Sequence, residues 1–176
     1  FDNTVFLNNS VMDSCVVKNN KSYCYGSIHA ENNSTISNCE IEGNVSAYDT
    51  KGHRGSYFKS TKIDNCKFVN TKGAGACVEL TGTSVMRNCL FEENTDVKTH
   101  IIYINGSSLA EDCQILNNES TSDILYLSSG KINRCTIKGN TSSDRMLTMY
   151  YSSSASNSLI CSNVCTESDE PIYMYD

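Results

Sequence analysis

The chain has 176 residues, 14 Lys and Arg against 20 Asp and Glu, a net charge of −6 and 39% apolar content. That length fits one domain, the acidic balance excludes a nucleic-acid grip, and no run of about 18 apolar residues exists to span a membrane as a helix. One proline, no tryptophan and many Asn, Ser, Thr and Gly residues disfavour long helices and favour short strands joined by tight turns.

In chain order, "TVFLNN" (4–9) reads as a degenerate copy of a motif that recurs, with Thr4 in the slot of a cysteine. The full form appears as "MDSCVVKNN" (12–20), "ISNCEIEGN" (36–44), "IDNCKFVNT" (63–71), "MRNCLFEEN" (86–94), "AEDCQILNN" (110–118) and "INRCTIKGN" (132–140). Its cysteines, Cys15, Cys39, Cys66, Cys89, Cys113 and Cys135, are 24, 27, 23, 24 and 22 residues apart. A last copy, "LICSNV" (159–164), puts Ser162 in the slot, so the position wants a small side chain.

A second motif lies midway between these copies: "SIHA" (27–30), "YFKS" (57–60), "CVEL" (77–80), "IIYI" (101–104), "ILYL" (124–127) and "MLTM" (146–149). Its second column (Ile28, Phe58, Val78, Ile102, Leu125, Leu147) is apolar and its third is mixed, the period-2 alternation of a strand with one buried face.

A period of 22–27 residues with two or three strands per period predicts a solenoid. "ISNCEIEGN" also fits a leucine-rich repeat, but the second half of each period is strand plus turn. The expected fold is therefore an all-β, right-handed parallel β-helix of about seven rungs filling residues 1–176 as one domain. In such a fold like stacks on like. The cysteines and the apolar column two residues on (Val17, Ile41, Phe68, Phe91, Ile115, Ile137) are expected to point inward from one sheet. Asn20, Asn44, Asn94, Asn118 and Asn140 are expected to close that strand, because Asn tolerates left-handed backbone. The nonapeptide thus reads as one strand and its corner. Lys18 beside Glu42 and Glu40 beside Lys67 are expected as charge pairs between rungs.

"FLNN" (6–9) and "FEEN" (91–94), with Ile or Val for Phe elsewhere, and "GAGACV" (73–78) resemble the signatures of chlamydial polymorphic outer-membrane proteins and of adhesin-like β-helix proteins. The resemblance implies an extracellular or cell-surface, adhesive or structural role without catalysis. It also implies protein or glycan partners on a cell surface, or neighbouring rungs or subunits. The chain begins with Phe1, and neither end carries a capping helix, so it is expected to be a piece of a longer repeat protein.

The six column cysteines read as buried free thiols or as disulfides between rungs, with Cys161, Cys165 and Cys135 the more plausible bonded set. Eight N-x-S/T sequons, at Asn8, Asn20, Asn32, Asn33, Asn44, Asn105, Asn118 and Asn140, are glycosylation candidates in a secreted chain or plain turn chemistry.

Parallel β-helices also include pectin lyases and polygalacturonases, which need converging carboxylates or a positioned base. No three acids converge on the outward columns, and His29, His53 and His100 fall in different rungs, so neither metal nor cofactor is expected. The longest corner, "VSAYDTKGHRGS" (45–56), offers Tyr48, His53 and Arg54 for binding or, on the alternative enzyme reading, for polysaccharide cleavage. A third reading is a filament subunit stacking end to end. The column before the second motif's buried one, with Ile101, Ile124 and Met146, is expected to face outward. With Tyr103 and Tyr126 it would form an apolar, aromatic binding stripe.

Overall fold

The computed structural model describes residues 4–22, 26–46, 55–73 and 75–175. Among them the chain forms strands and turns but no helix, wound as a parallel β-helix of seven turns and the start of an eighth. Each turn contributes up to four strands. Sheet 1 stacks eight four-residue strands, from Val5–Asn8 and Ile28–Glu31 to Leu147–Tyr150 and Ile172–Tyr175. Sheet 2 stacks seven three-residue strands, Val11–Asp13 to Ser154–Ser156, and sheet 3 seven more, Val16–Lys18 to Leu159–Cys161. Sheet 4 consists of two-residue strands in two sets, Lys21–Ser22 to Lys72–Gly73 and Glu119–Ser120 to Val164–Cys165; Val97 bridges the gap between them.

All strand pairs are parallel and in register, so equivalent residues lie about 4.8 Å apart along the axis. Ile41, Phe68, Phe91, Ile115 and Ile137 form one buried column of sheet 3, faced by Ile36, Ile63, Met86, Ala110 and Ile132 of sheet 2. The rings of Phe68 and Phe91 stack at 4.9 Å and 6°. Each such Ile or Phe contributes roughly 1.5–3 kcal/mol through burial. The exposed large apolar side chains include Phe6, Val11, Val16, Leu159 and Val164, on outward positions of their strands, and Ile172 and Met174, on the inward positions of the last strand of sheet 1.

Four register expectations are corrected. The nonapeptide holds two strands, not one: the chain turns from sheet 2 to sheet 3 at the residue before each cysteine. Asn38 (φ 54°), Asn65 (51°), Asn88 (53°) and Asp112 (55°) adopt left-handed backbone there. A second left-handed residue ends sheet 3 one position before the Asn column, at Asn19, Gly43, Asn70, Glu93, Asn117 and Gly139. The Asn column itself is therefore not the turn-former. Asn44, Asn94, Asn118 and Asn140 are buried and hydrogen-bonded to one another or to the backbone of the preceding turn.

At the chain's ends the degenerate copies shift. Val5 pairs with Ile28, so "TVFLNN" belongs to sheet 1, and it is Ser158, not Ser162, that takes the cysteine slot, its Oγ accepting the Cys135 N–H at 3.1 Å. Finally, Phe58 pairs with Ala30 and Leu80 rather than with Ile28 and Val78. The slip is two residues, so Phe58 still points inward, and Ser56 fills the vacated column. Lys18 and Glu42 do form a bridge between rungs, at 2.5 Å, and Lys67 lies in register with Glu40.

Candidate functional site

The outward face of sheet 1 gathers the aromatic side chains. Alternation along each strand sends the first and third residues inward and the second and fourth outward. The second outward column runs Phe6, His29, Tyr57, Glu79, Tyr103, Tyr126, Thr148, Tyr173, and the fourth ends in Tyr150 and Tyr175. Ring contacts run continuously across the C-terminal turns. Tyr103 meets Tyr126 edge-on at 5.4 Å, Tyr126 meets Tyr150 at 5.5 Å, and Tyr150 meets Tyr173 at 6.0 Å and Tyr175 at 5.8 Å. His100 lies on Tyr126 at 4.8 Å, and the Arg145 guanidinium sits 4.7 Å above the Tyr173 ring. A shorter patch, Phe6–His29–Tyr57, occupies the N-terminal turns with edge-on contacts of 5.1 and 5.0 Å.

Tyr103 and Tyr126 thus stand where the sequence expects them, half-buried and outward. Ile101, Ile124 and Met146 do not: all three are buried, at 0%, 0% and 2% exposure. The chain enters sheet 1 through a kink. The Ile101 and Ile102 N–H groups both donate to the Ile124 carbonyl, and the Met146 and Leu147 N–H groups both donate to the Pro171 carbonyl. Two successive amides sharing one acceptor interrupt the ladder there as a β-bulge does, whereas Ile124 and Leu125 donate to different carbonyls, those of Arg145 and Met146, and are buried together all the same. Tyr48, His53 and Arg54 lie outside the described residues.

The residue preceding that buried pair faces the tyrosines: His100, which the sequence offered only as one of three scattered histidines, and Asp123 and Arg145, which it did not single out. Its signal is a polar residue directly before two apolar ones, "HII", "DIL" and "RML". Asp123 is buried, and its Oδ1 accepts the Arg145 N–H at 3.2 Å. Burial raises its pKa above the usual carboxylate range, with help from the charge of Asp144. Burial lowers His100 to about 4. His100 is therefore a neutral imidazole at pH 7, and its Nδ1, 3.8 Å from Asp123 Oδ2 and without a hydrogen-bond partner, makes no ion pair. Burial also raises the Tyr126 phenol, with Tyr150 and Tyr103 beside it. The C-terminal part of the face is thus aromatic, with a neutral imidazole against Tyr126 and the carboxyls of Asp123 and Asp144 beside it. Among the described residues, no group of three or more His, Cys, Asp or Glu is arranged to hold a metal.

The remaining candidates resolve by burial. Asn44, Asn118 and Asn140 are at most 2% exposed with their amides committed to the ladder, so these three sequons are not glycan sites in the folded chain. The Ser two residues after each (Ser46, Ser120, Ser142) is the buried residue of sheet 4, so this sequon pattern is core chemistry. Asn20 takes part in the same ladder at its N-terminal end, whereas Asn8, Asn32 and Asn33 are exposed and Asn105 is half-exposed.

Cys39, Cys66, Cys89, Cys113 and Cys135 are buried at the corner of sheets 2 and 3, and Cys15 is exposed. The thiols of Cys39, Cys66 and Cys89 each donate to the carbonyl two residues back, at 3.0 to 3.2 Å. All described cysteines are free, and Cys135, Cys161 and Cys165, the set the disulfide reading favoured, form no pair. Cys161 lies in the outward Lys138 column of sheet 3 and Cys165 in the inward Ser142 column of sheet 4, so they face apart.

A family model described as "Right handed beta helix region" matches residues 52–175. Enzymes of the pectate-lyase type and non-enzymes alike share that model, so the match does not decide between them. No curated protein matches the chain.

Proposed function

Since the chain belongs to the right-handed β-helix family, we propose that it is a non-catalytic scaffold of the cell exterior that holds a tyrosine face for adhesion to another molecule. The supporting observation is the unbroken run of ring contacts from Tyr103 through Tyr126 and Tyr150 to Tyr173 and Tyr175. Tyrosine offers large, rigid contact area with a hydrogen-bonding tip at low entropic cost, which suits an interface. The in-register stack beneath fixes the spacing of those rings, so binding requires little reordering.

Replacing Tyr103 and Tyr126 by Ser tests the reading, because both side chains lie outside the core. Attachment of the purified chain to cells or to an immobilised glycan panel is expected to fall at least tenfold while the β-sheet circular dichroism stays unchanged. Undiminished attachment by the folded variant would sink the proposal.

The alternative, polysaccharide cleavage, draws on one observation: Asp123 is a buried carboxyl of raised pKa beside an aromatic platform, the setting of a general acid. Its nearest acidic neighbour, Asp144, is instead half-exposed and hydrogen-bonded to Arg145 at 3.3 Å. Product release from polyuronates or neutral glycans, abolished by Asp123→Asn or Arg54→Ala, would favour this reading over the first.

A further inference from the structure

The charge of the molecule is not spread evenly. The segments that lead into the last four strands of sheet 1, residues 95–100, 118–124, 141–146 and 164–171, carry seven acids and two bases. Five of the six net negative charges therefore lie in the segments that feed the tyrosine strands. Asp144 is half-exposed, and Glu167, Asp169 and Glu170 are exposed. Within this edge the fold already seats one cation. Arg145 places its guanidinium 4.7 Å over the Tyr173 ring while its Nη1 donates to Asp144 Oδ2 at 3.3 Å. A tyrosine face with carboxylates at its border is the arrangement that holds a desolvated cation, through the ring quadrupole and a charge-assisted hydrogen bond together.

We propose that the C-terminal half of the tyrosine face docks a basic polypeptide segment, its Lys or Arg side chains set over Tyr103, Tyr126, Tyr150 and Tyr175 as Arg145 is over Tyr173. The proposal rests on the adhesive reading above and names its partner. Charge complementarity selects this occupant. A neutral glycan would use the rings and leave the acidic border without a role, and a polyuronate would be repelled by it. A flexible basic segment also reaches several rungs at once, whereas a single cation at one exposed ring gains little.

The test is a titration of the whole chain with a labelled Arg–Gly repeat peptide. Controls are a Glu–Gly peptide of equal length, a neutral chito-oligosaccharide and its deacetylated, cationic counterpart. Variants are Tyr126→Ser, the pair Asp144→Asn with Glu167→Gln, and Glu92→Gln on the outer side of sheet 3. Preferential binding of the Arg–Gly peptide is expected, weakened at least tenfold by Tyr126→Ser and by the acidic pair, and unchanged by Glu92→Gln. Equal weakening by Glu92→Gln would mean diffuse charge attraction and overturn the proposal. So would tighter binding of the cationic sugar, or no peptide binding. Tyr126-dependent binding of the neutral sugar alone would overturn the basic partner yet leave the adhesive face standing. Failure of every ligand, together with unchanged attachment of the Tyr103 and Tyr126 variant, would remove both.

Discussion

A single histidine makes folding sensitive to pH. Burial holds His100 at about 4, below the ordinary value of about 6.5. As pH falls below 6.5 the unfolded chain takes up this proton first, so stability is lost between about 6.5 and 4 and levels off below. Its neighbour Asp123 works in the opposite sense. With a folded pKa raised by burial, it is destabilising where ionised, and it recovers stability as pH drops through that raised value. The histidine effect is expected to dominate at the upper end of the window. Urea unfolding from pH 7.5 to 5 should show a falling midpoint in the native chain and a flatter profile in His100→Asn. Identical profiles for the two would mean that the imidazole is not buried as described.

At the scale of the element, the corner between sheets 3 and 4 depends on the Asn ladder. Asn118 Nδ2 donates to Asn140 Oδ1 at 2.9 Å and to the Phe91 carbonyl at 3.0 Å. Its Oδ1 accepts from the Asn94 N–H at 3.1 Å and from the Asn94 Nδ2 at 2.8 Å. In a buried position each partner left unsatisfied costs about 1–3 kcal/mol, so Asn118→Ala is expected to destabilise by about 3 kcal/mol overall. Denaturant midpoints measure it, and a loss below 1 kcal/mol would show that the ladder is dispensable. Thr71 interrupts the column, though its N–H still donates to Asn94 Oδ1 at 2.9 Å. The Asn column was plain in the sequence, but its role was misassigned. Both a turn-forming and a ladder Asn follow an apolar strand, and in "VVKNN" the two sit side by side as Asn19 and Asn20. Only backbone angles separate them.

At the scale of the whole molecule, each turn touches only its neighbours, so stability is close to a sum of rung and interface terms. Damage in one place should then stay local. Phe91 is fully buried and stacked on Phe68 in the middle turns. Phe91→Ala is expected to cost about 3–5 kcal/mol. Amide exchange should accelerate in the turns holding Phe68, Phe91 and Ile115 and change little at residues 5–18 or 147–161. Uniform acceleration along the chain would instead mean that the solenoid unfolds as one cooperative unit.

The sequence by itself determined the period, the parallel stacking and the identity of most core columns. A repeat in register places like residues on like, and alternation of period 2 survives even a two-residue slip such as that at Phe58. It also located Tyr103 and Tyr126, because outward positions follow from the same alternation. The tertiary structure decided what happens where alternation fails. At the entry to sheet 1, Ile101, Ile124 and Met146 turn inward beside the residue that follows each, in two of the three turns where one carbonyl serves both amides, and His100, Asp123 and Arg145 come beside the tyrosines.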